Sequence, residues 1–94
     1  MKYFIYIAKC SDSSLYTGIT SNIKKRIWQH NNSKYGAKSV RGKRPVHLVY
    51  SEVYSTIYEA LKREKEIKGW DRKKKLNLIN ENALTLKGEA LKRE

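Results

Sequence analysis

The chain has 94 residues, 39% hydrophobic and 32% charged, and its 21 Lys and Arg against 9 Asp and Glu leave a formal charge of +12. That length builds one domain around one core, and the longest apolar run, from Tyr3 to Ala8, is too short to span a bilayer. With Cys10 as the only cysteine, an intrachain disulfide and a thiolate zinc centre are both excluded, which fits a reducing, cytoplasmic setting.

Residues 3–9 and 15–20 are apolar, aromatic and β-branched runs separated by the turn-forming Ser11-Asp12-Ser13-Ser14, a pattern that predicts an antiparallel hairpin. Lys2 ahead of the first run resembles a signal peptide only faintly, because no small-residue cleavage site follows, and the chain is expected to be soluble and unprocessed. Ser21 or Asn22 can cap a helix from about Ile23 to Asn31, with Ile23 and Ile27 facing the sheet. Residues 32–45 read as a loop broken by Asn32, Ser33, Gly36, Gly42 and Pro45. Val46 to Tyr54 predicts a third strand, and the capping-box spacing of Thr56-Ile57-Tyr58-Glu59 opens a helix that runs to about Lys68. Gly69 closes it, and Asp71 caps a last short helix that carries Arg72, Lys73, Lys74 and Lys75. Residues 1–82 are read as the domain and 83–94 as an extension, helical or disordered. The order ββαβαα belongs to the α+β class, with a three-stranded, mainly antiparallel sheet flanked by helices.

Charge is unevenly spread. Between Ser13 and Ser51 no acidic residue occurs, while Lys24, Lys25, Arg26, Lys34, Lys38, Arg41, Lys43 and Arg44 all fall there. A soluble surface usually mixes the two signs, so this stretch reads as a phosphate-binding surface and the partner as nucleic acid, ahead of an anionic membrane.

Glu64 is the residue out of place. It follows Ile57, Ala60 and Leu61 by seven, four and three positions, on the stripe of the second long helix that should be buried. A carboxylate there costs several kcal/mol unless it is compensated. An ion pair with a residue such as Arg26, a bend out to water, or a Mg²⁺ ion would each do so. Arg26 and His30 share one helix face, and Tyr6 and Tyr16 lie in the hairpin arms. Taken singly, each has an ordinary structural explanation. Together they are the parts needed to break a phosphodiester: a base, a cationic fork and a metal ligand.

Phe4-Ile5-Tyr6, Tyr16-Thr17-Gly18, the stretch from Ile23 to His30 and Glu59-Ala60-Leu61-Lys62-Arg63-Glu64 resemble the motifs of the GIY-YIG nuclease superfamily, most closely its small stand-alone bacterial members. Phe4 stands where the family has glycine. The resemblance implies Mg²⁺- or Mn²⁺-dependent hydrolysis of structured or damaged DNA by a monomer. Tyr6 is then the general base, Tyr16 positions the water or the phosphate and can share the base role, Arg26 stabilises the pentavalent phosphate, His30 hydrogen-bonds the tyrosine or the phosphate, and Glu64 holds the metal. An asparagine found near the site in several members has its nearest counterpart in Asn77.

An unperturbed phenol, with a pKa of about 10, is a poor base at neutral pH, and a metal, a guanidinium and a basic field are expected to favour phenolate. Lys25, Lys34, Lys38, Arg41, Lys43 and Arg44 are read as phosphate contacts, Tyr35 as a stacking ring, and Gly18 as leaving room for substrate. One geometric condition follows from pairing alone. Tyr6 and Tyr16 share a face only if partner numbers along the hairpin sum to an even value, which predicts a three- or five-residue loop or a bulge. A nucleic-acid-binding module without cleavage, for DNA or RNA, and a basic protein docked on a protein partner or ribosome are the competing functions.

Overall fold

In a computed structural model, which describes residues 1–34 and 37–93 with side-chain surroundings as far as residue 82, the hairpin consists of β1 (Tyr3–Lys9) and β2 (Leu15–Thr20). Lys9 pairs with Leu15 across residues 10–14, so Tyr6 stands opposite Gly18 and Ala8 opposite Tyr16, the even register that the shared face requires. The turn is held by Asp12, whose Oδ1 accepts from the Ser14 N–H at 2.9 Å. Ser13 takes the left-handed backbone there, at φ 71°.

α1 (Ile23–Asn32) starts at Asn22, whose side chain accepts from the Lys25 N–H. β3 (His47–Tyr54) pairs antiparallel with β1, with a register shift at Ile7/Ala8, and the sheet order is β2-β1-β3. α2 (Ile57–Lys68) is capped by Thr56, and α3 (Arg72–Arg93) by Asp71, which accepts from the Lys74 N–H at 2.8 Å. The α+β architecture is the expected one, and the sheet is wholly antiparallel. Among the described residues no helix is long and apolar enough to cross a membrane.

Three readings change. Residues 38–43 form a turn of 3-10 helix, and Val40 within it is buried in the core, so this segment is more than an open loop. The last helix is one unbroken rod to Arg93, because residues 83–93 contain good helix formers and no proline. On α2, Ala60 and Ile67 are buried but Ile57 and Leu61 remain 45% and 48% exposed. Glu64 therefore lies on the border between the buried and open sides of that helix.

The central strand serves two cores. Tyr6, Ala8 and Cys10 pack with Val40, Val46, Tyr16 and Ile27 on the side of α1. Ile5 and Ile7 pack with Ala60, Ile67, Trp70, Leu78 and Ile79 on the side of α2 and α3. The alternation of side chains along β1 sorts its residues between them.

Candidate active site

Because β1 is central and Gly18 faces it across the pair, the Tyr6 ring lies over the glycine. A Cβ at position 18 would stand 2.5 Å from the Tyr6 hydroxyl and 2.6 Å from its Cζ. The space the sequence reading assigns to substrate is thus filled by the phenol itself. Tyr6 is only 1% exposed.

His30, fully buried on α1, meets the Tyr6 Oη through Nε2 at 2.7 Å. Its Nδ1 accepts from the Ala37 N–H at 3.2 Å. A neutral imidazole has one proton, so that backbone bond places it on Nε2, where it is donated to the phenol. Burial first, then the Arg26 and Arg44 charges, pull the His30 pKa from 6.5 down to about 4, and the ring is neutral near pH 7. His30 is therefore a donor to Tyr6, not an acceptor of its proton.

Arg26, one turn before His30, also hydrogen-bonds the Tyr6 phenol, and its Nη1 donates to Gln29 at 3.1 Å. Tyr16 closes the group from β2, its ring edge-on to His30 at 5.2 Å and tilted against Tyr6 at 6.1 Å. Unlike Tyr6, Tyr16 is part-exposed.

Glu64 reaches the same group electrostatically, since its charge is one cause of a raised Tyr6 pKa. α2 packs on β2 and β1, and β2 is an edge strand. Glu64 has a side chain 16% exposed and pairs with Lys68 at 3.4 Å rather than with Arg26.

The protein groups around Tyr6 disfavour the expected phenolate. Burial and the Tyr16 phenol push its pKa from 10 up to about 12, and they outweigh the lowering by the Arg26 hydrogen bond and charge. Desolvation wins because the same packing that brings the guanidinium close also removes water.

Arg44, read as a phosphate contact, donates to the carbonyls of His30 and Ser33, closing the C-terminal end of α1. Arg41 donates to the Lys34 carbonyl, and Lys43 pairs with Asp12 at 3.8 Å. Lys25, Lys34 and Lys38 are exposed. Asn77 lines a surface depression with Trp70, Lys74, Leu78 and Glu81, none of them among the five site residues. Tyr35 lies outside the described residues.

Among the described residues no three His, Cys, Asp or Glu side chains converge, which rules out a closed protein cage there. A half-buried carboxylate with a single lysine neighbour does suit Mg²⁺ or Mn²⁺, which take one or two protein carboxylates and complete their shell with water and phosphate oxygens.

Sequence reading missed two features. One is the Ala37 amide, a backbone group that no motif records. The other is a second polar cluster on the opposite sheet face. There Arg63 grips Glu52 through Nε at 2.9 Å and Nη2 at 3.0 Å, and the hydroxyls of Tyr50 and Tyr54 donate to the same carboxylate. A glutamate on an otherwise apolar strand was the available signal.

A hairpin with a phenol in each arm, an Arg and His one turn apart on the next helix, and a border glutamate on α2 define a known catalytic architecture. The model of the GIY-YIG catalytic domain matches residues 2–77, and the chain belongs to that family. Within it, the chain resembles the UPF0213 proteins. It is 58% identical over 80 residues to one from Staphylococcus saprophyticus, covering 85% of this chain and 96% of that one. It is 56% identical over 79 residues to one from Staphylococcus aureus, covering 84% and 95%. Two NMR structures share the fold. The UPF0213 protein BH0048 from Bacillus halodurans has a TM-score of 0.56 at 39% identity, covering 85% of this chain and 84% of that one. The protein EF2693 from E. faecalis has a TM-score of 0.61 at 32% identity, covering 89% and 88%.

Proposed function

We propose that the protein hydrolyses phosphodiester bonds of structured or damaged DNA with one Mg²⁺ or Mn²⁺ ion held by Glu64. The observation that carries this is the gathering of Tyr6, Tyr16, Arg26 and His30 within reach of a glutamate charge, on a domain of charge +12.

Burial reverses the expected division of labour between the phenols. Tyr16, the part-exposed one, is the better placed to take the proton of the attacking water as phenolate. Tyr6, closed off and kept protonated, fixes the ring of His30 and the fork of Arg26. The Arg26 guanidinium, planar and bidentate, turns to the non-bridging phosphate oxygens as charge builds on them. The water oxygen bonds to phosphorus, the bond to the leaving oxygen breaks, and solvent protonates that oxygen. A bound divalent cation supplies charge neutralisation at the phosphate and leaving oxygen.

Nicking of a branched DNA by wild type with Mg²⁺, and its loss in Glu64→Gln with binding retained, is the expected result. Equal residual nicking by both proteins would sink the assignment. Tyr6 being 1% exposed favours the second reading, a nucleic-acid-binding module without cleavage, and that reading takes over if neither protein cuts.

A further inference from the structure

α1 has a second side that the site does not use. Trp28 is 60% exposed there. It lies two residues from both Arg26 and His30, on the opposite side of a helix with 3.6 residues per turn. Lys24 and Lys25 precede it by four and three positions, which places them beside the ring, and both are exposed. Among the described residues neither lysine enters an ion pair. A single exposed aromatic is ordinary. An exposed indole with two lysines one turn before it, in a stretch with no acidic residue from Ser13 to Ser51, has the composition of a base-stacking platform.

We propose that this outer side of α1 binds an unpaired nucleobase of single-stranded nucleic acid, with Trp28 stacking on the base and Lys24 and Lys25 on the flanking phosphates. The inference rests on the nucleic-acid part of the function proposed above and is independent of cleavage. Base faces within a duplex are covered by their neighbours, so a lone indole on a helix finds its partner where the strand is open. The width of α1, about 10 Å, equals about three nucleotides of stacked strand at 3.4 Å each. A strand crossing α1 then reaches the tyrosine pair within a few nucleotides of the stacked base, which selects frayed, flapped or mismatched DNA.

The test uses Glu64→Gln protein, so that DNA is not cut, and follows tryptophan fluorescence on adding a short oligothymidylate, an abasic oligonucleotide of the same length, or a blunt duplex. Oligothymidylate is expected to quench, and the abasic strand and the duplex to leave the signal nearly unchanged. Trp28→Phe, which leaves Trp70 as the only indole, abolishes the quenching and keeps most of the affinity. Trp28→Ala weakens oligothymidylate binding about 5- to 150-fold, the share of one stacked base, and leaves abasic binding as it was. Equal quenching by the abasic strand or the duplex, or unchanged oligothymidylate binding by Trp28→Ala, overturns the proposal. Persistent nicking by Glu64→Gln would instead remove the nuclease assignment and leave these readouts standing.

Discussion

The sheet carries two clusters of tyrosines, an arginine and a glutamate, one around Tyr6 on the α1 side, which Glu64 reaches from α2, and one around Glu52 on the opposite side, and the clusters differ in how their carboxylates are used. Glu52 receives two donors from Arg63 and one each from Tyr50 and Tyr54, which fills the acceptor sites of a carboxylate. Burial alone would raise its pKa, yet the hydrogen bonds of Arg63, Tyr50 and Tyr54 hold it below the ordinary value. Tyr50 and Tyr54 are pushed up in turn by burial and by that carboxylate, Tyr54 to about 12. Glu64 has one lysine at 3.4 Å. The same residue types thus make a strut on one face and a candidate site on the other, and spare acceptor capacity is what separates them.

Exchanging each glutamate for glutamine sets the two apart most strongly. Glu64→Gln should lower nicking by about 10³-fold, roughly 4 kcal/mol of transition-state stabilisation, while the urea midpoint stays within about 0.5 kcal/mol of wild type. Glu52→Gln should do the reverse, costing about 3 kcal/mol of stability by leaving Arg63 half-paired, with nicking retained in the folded fraction. Stability loss from Glu64→Gln as large as from Glu52→Gln would erase the distinction.

Acid separates the clusters a second way. His30 has a depressed folded pKa, so between pH 6.5 and about 4 the unfolded chain binds the extra proton and stability falls as pH falls. The full loss is about 3 kcal/mol, present above pH 6.5 and gone near pH 4. Urea titrations at a series of pH values should show it, and His30→Gln should flatten the curve in that window. The Glu52 contribution is also present at higher pH, but it is lost only as pH drops through that lowered folded pKa. It should therefore survive in His30→Gln as a separate, more acidic step.

Gly18→Ala drives a methyl into the Tyr6 ring and should lower nicking together with a stability cost of about 2 kcal/mol, a cost that Glu64→Gln does not share. The smallest effect is expected at Thr17, whose Oγ1 is buried without a hydrogen-bond partner. Thr17→Val should be neutral or stabilise by about 1 kcal/mol in thermal melts. It lies opposite Ile7 on the side that α2 covers, and because valine keeps the shape of threonine, Glu64 should hold its place and nicking should be unaffected.

Much of this was legible from residues alone, because parity and periodicity are local. The hairpin register follows from where Tyr6 and Tyr16 must point, and Glu64 stands out against Ala60 and Ile67. What was not legible depends on coverage. Arg41 and Arg44 read as phosphate contacts, and only the fold reveals that they also hold the carbonyls of Lys34, His30 and Ser33 around the end of α1. Tyr6 reads as a base, and its burial under α1 and the 3-10 segment is not visible from residues, since no count of charges registers the water they expel. Ile57 and Leu61 keep helical spacing but lie past the edge of what the sheet can cover.

One consequence of the Ala37 amide reaches further than its size suggests. The proton arrangement around Tyr6 is dictated by a peptide group, which side-chain scanning leaves untouched. Ala37 has φ −56°, a value proline adopts readily. Ala37→Pro would therefore remove the N–H that His30 accepts while keeping the backbone angle. Imidazole would then be at liberty to move its proton to Nδ1 and accept a hydrogen bond from the phenol at Nε2, and ¹⁵N shifts of the His30 ring would display the inversion.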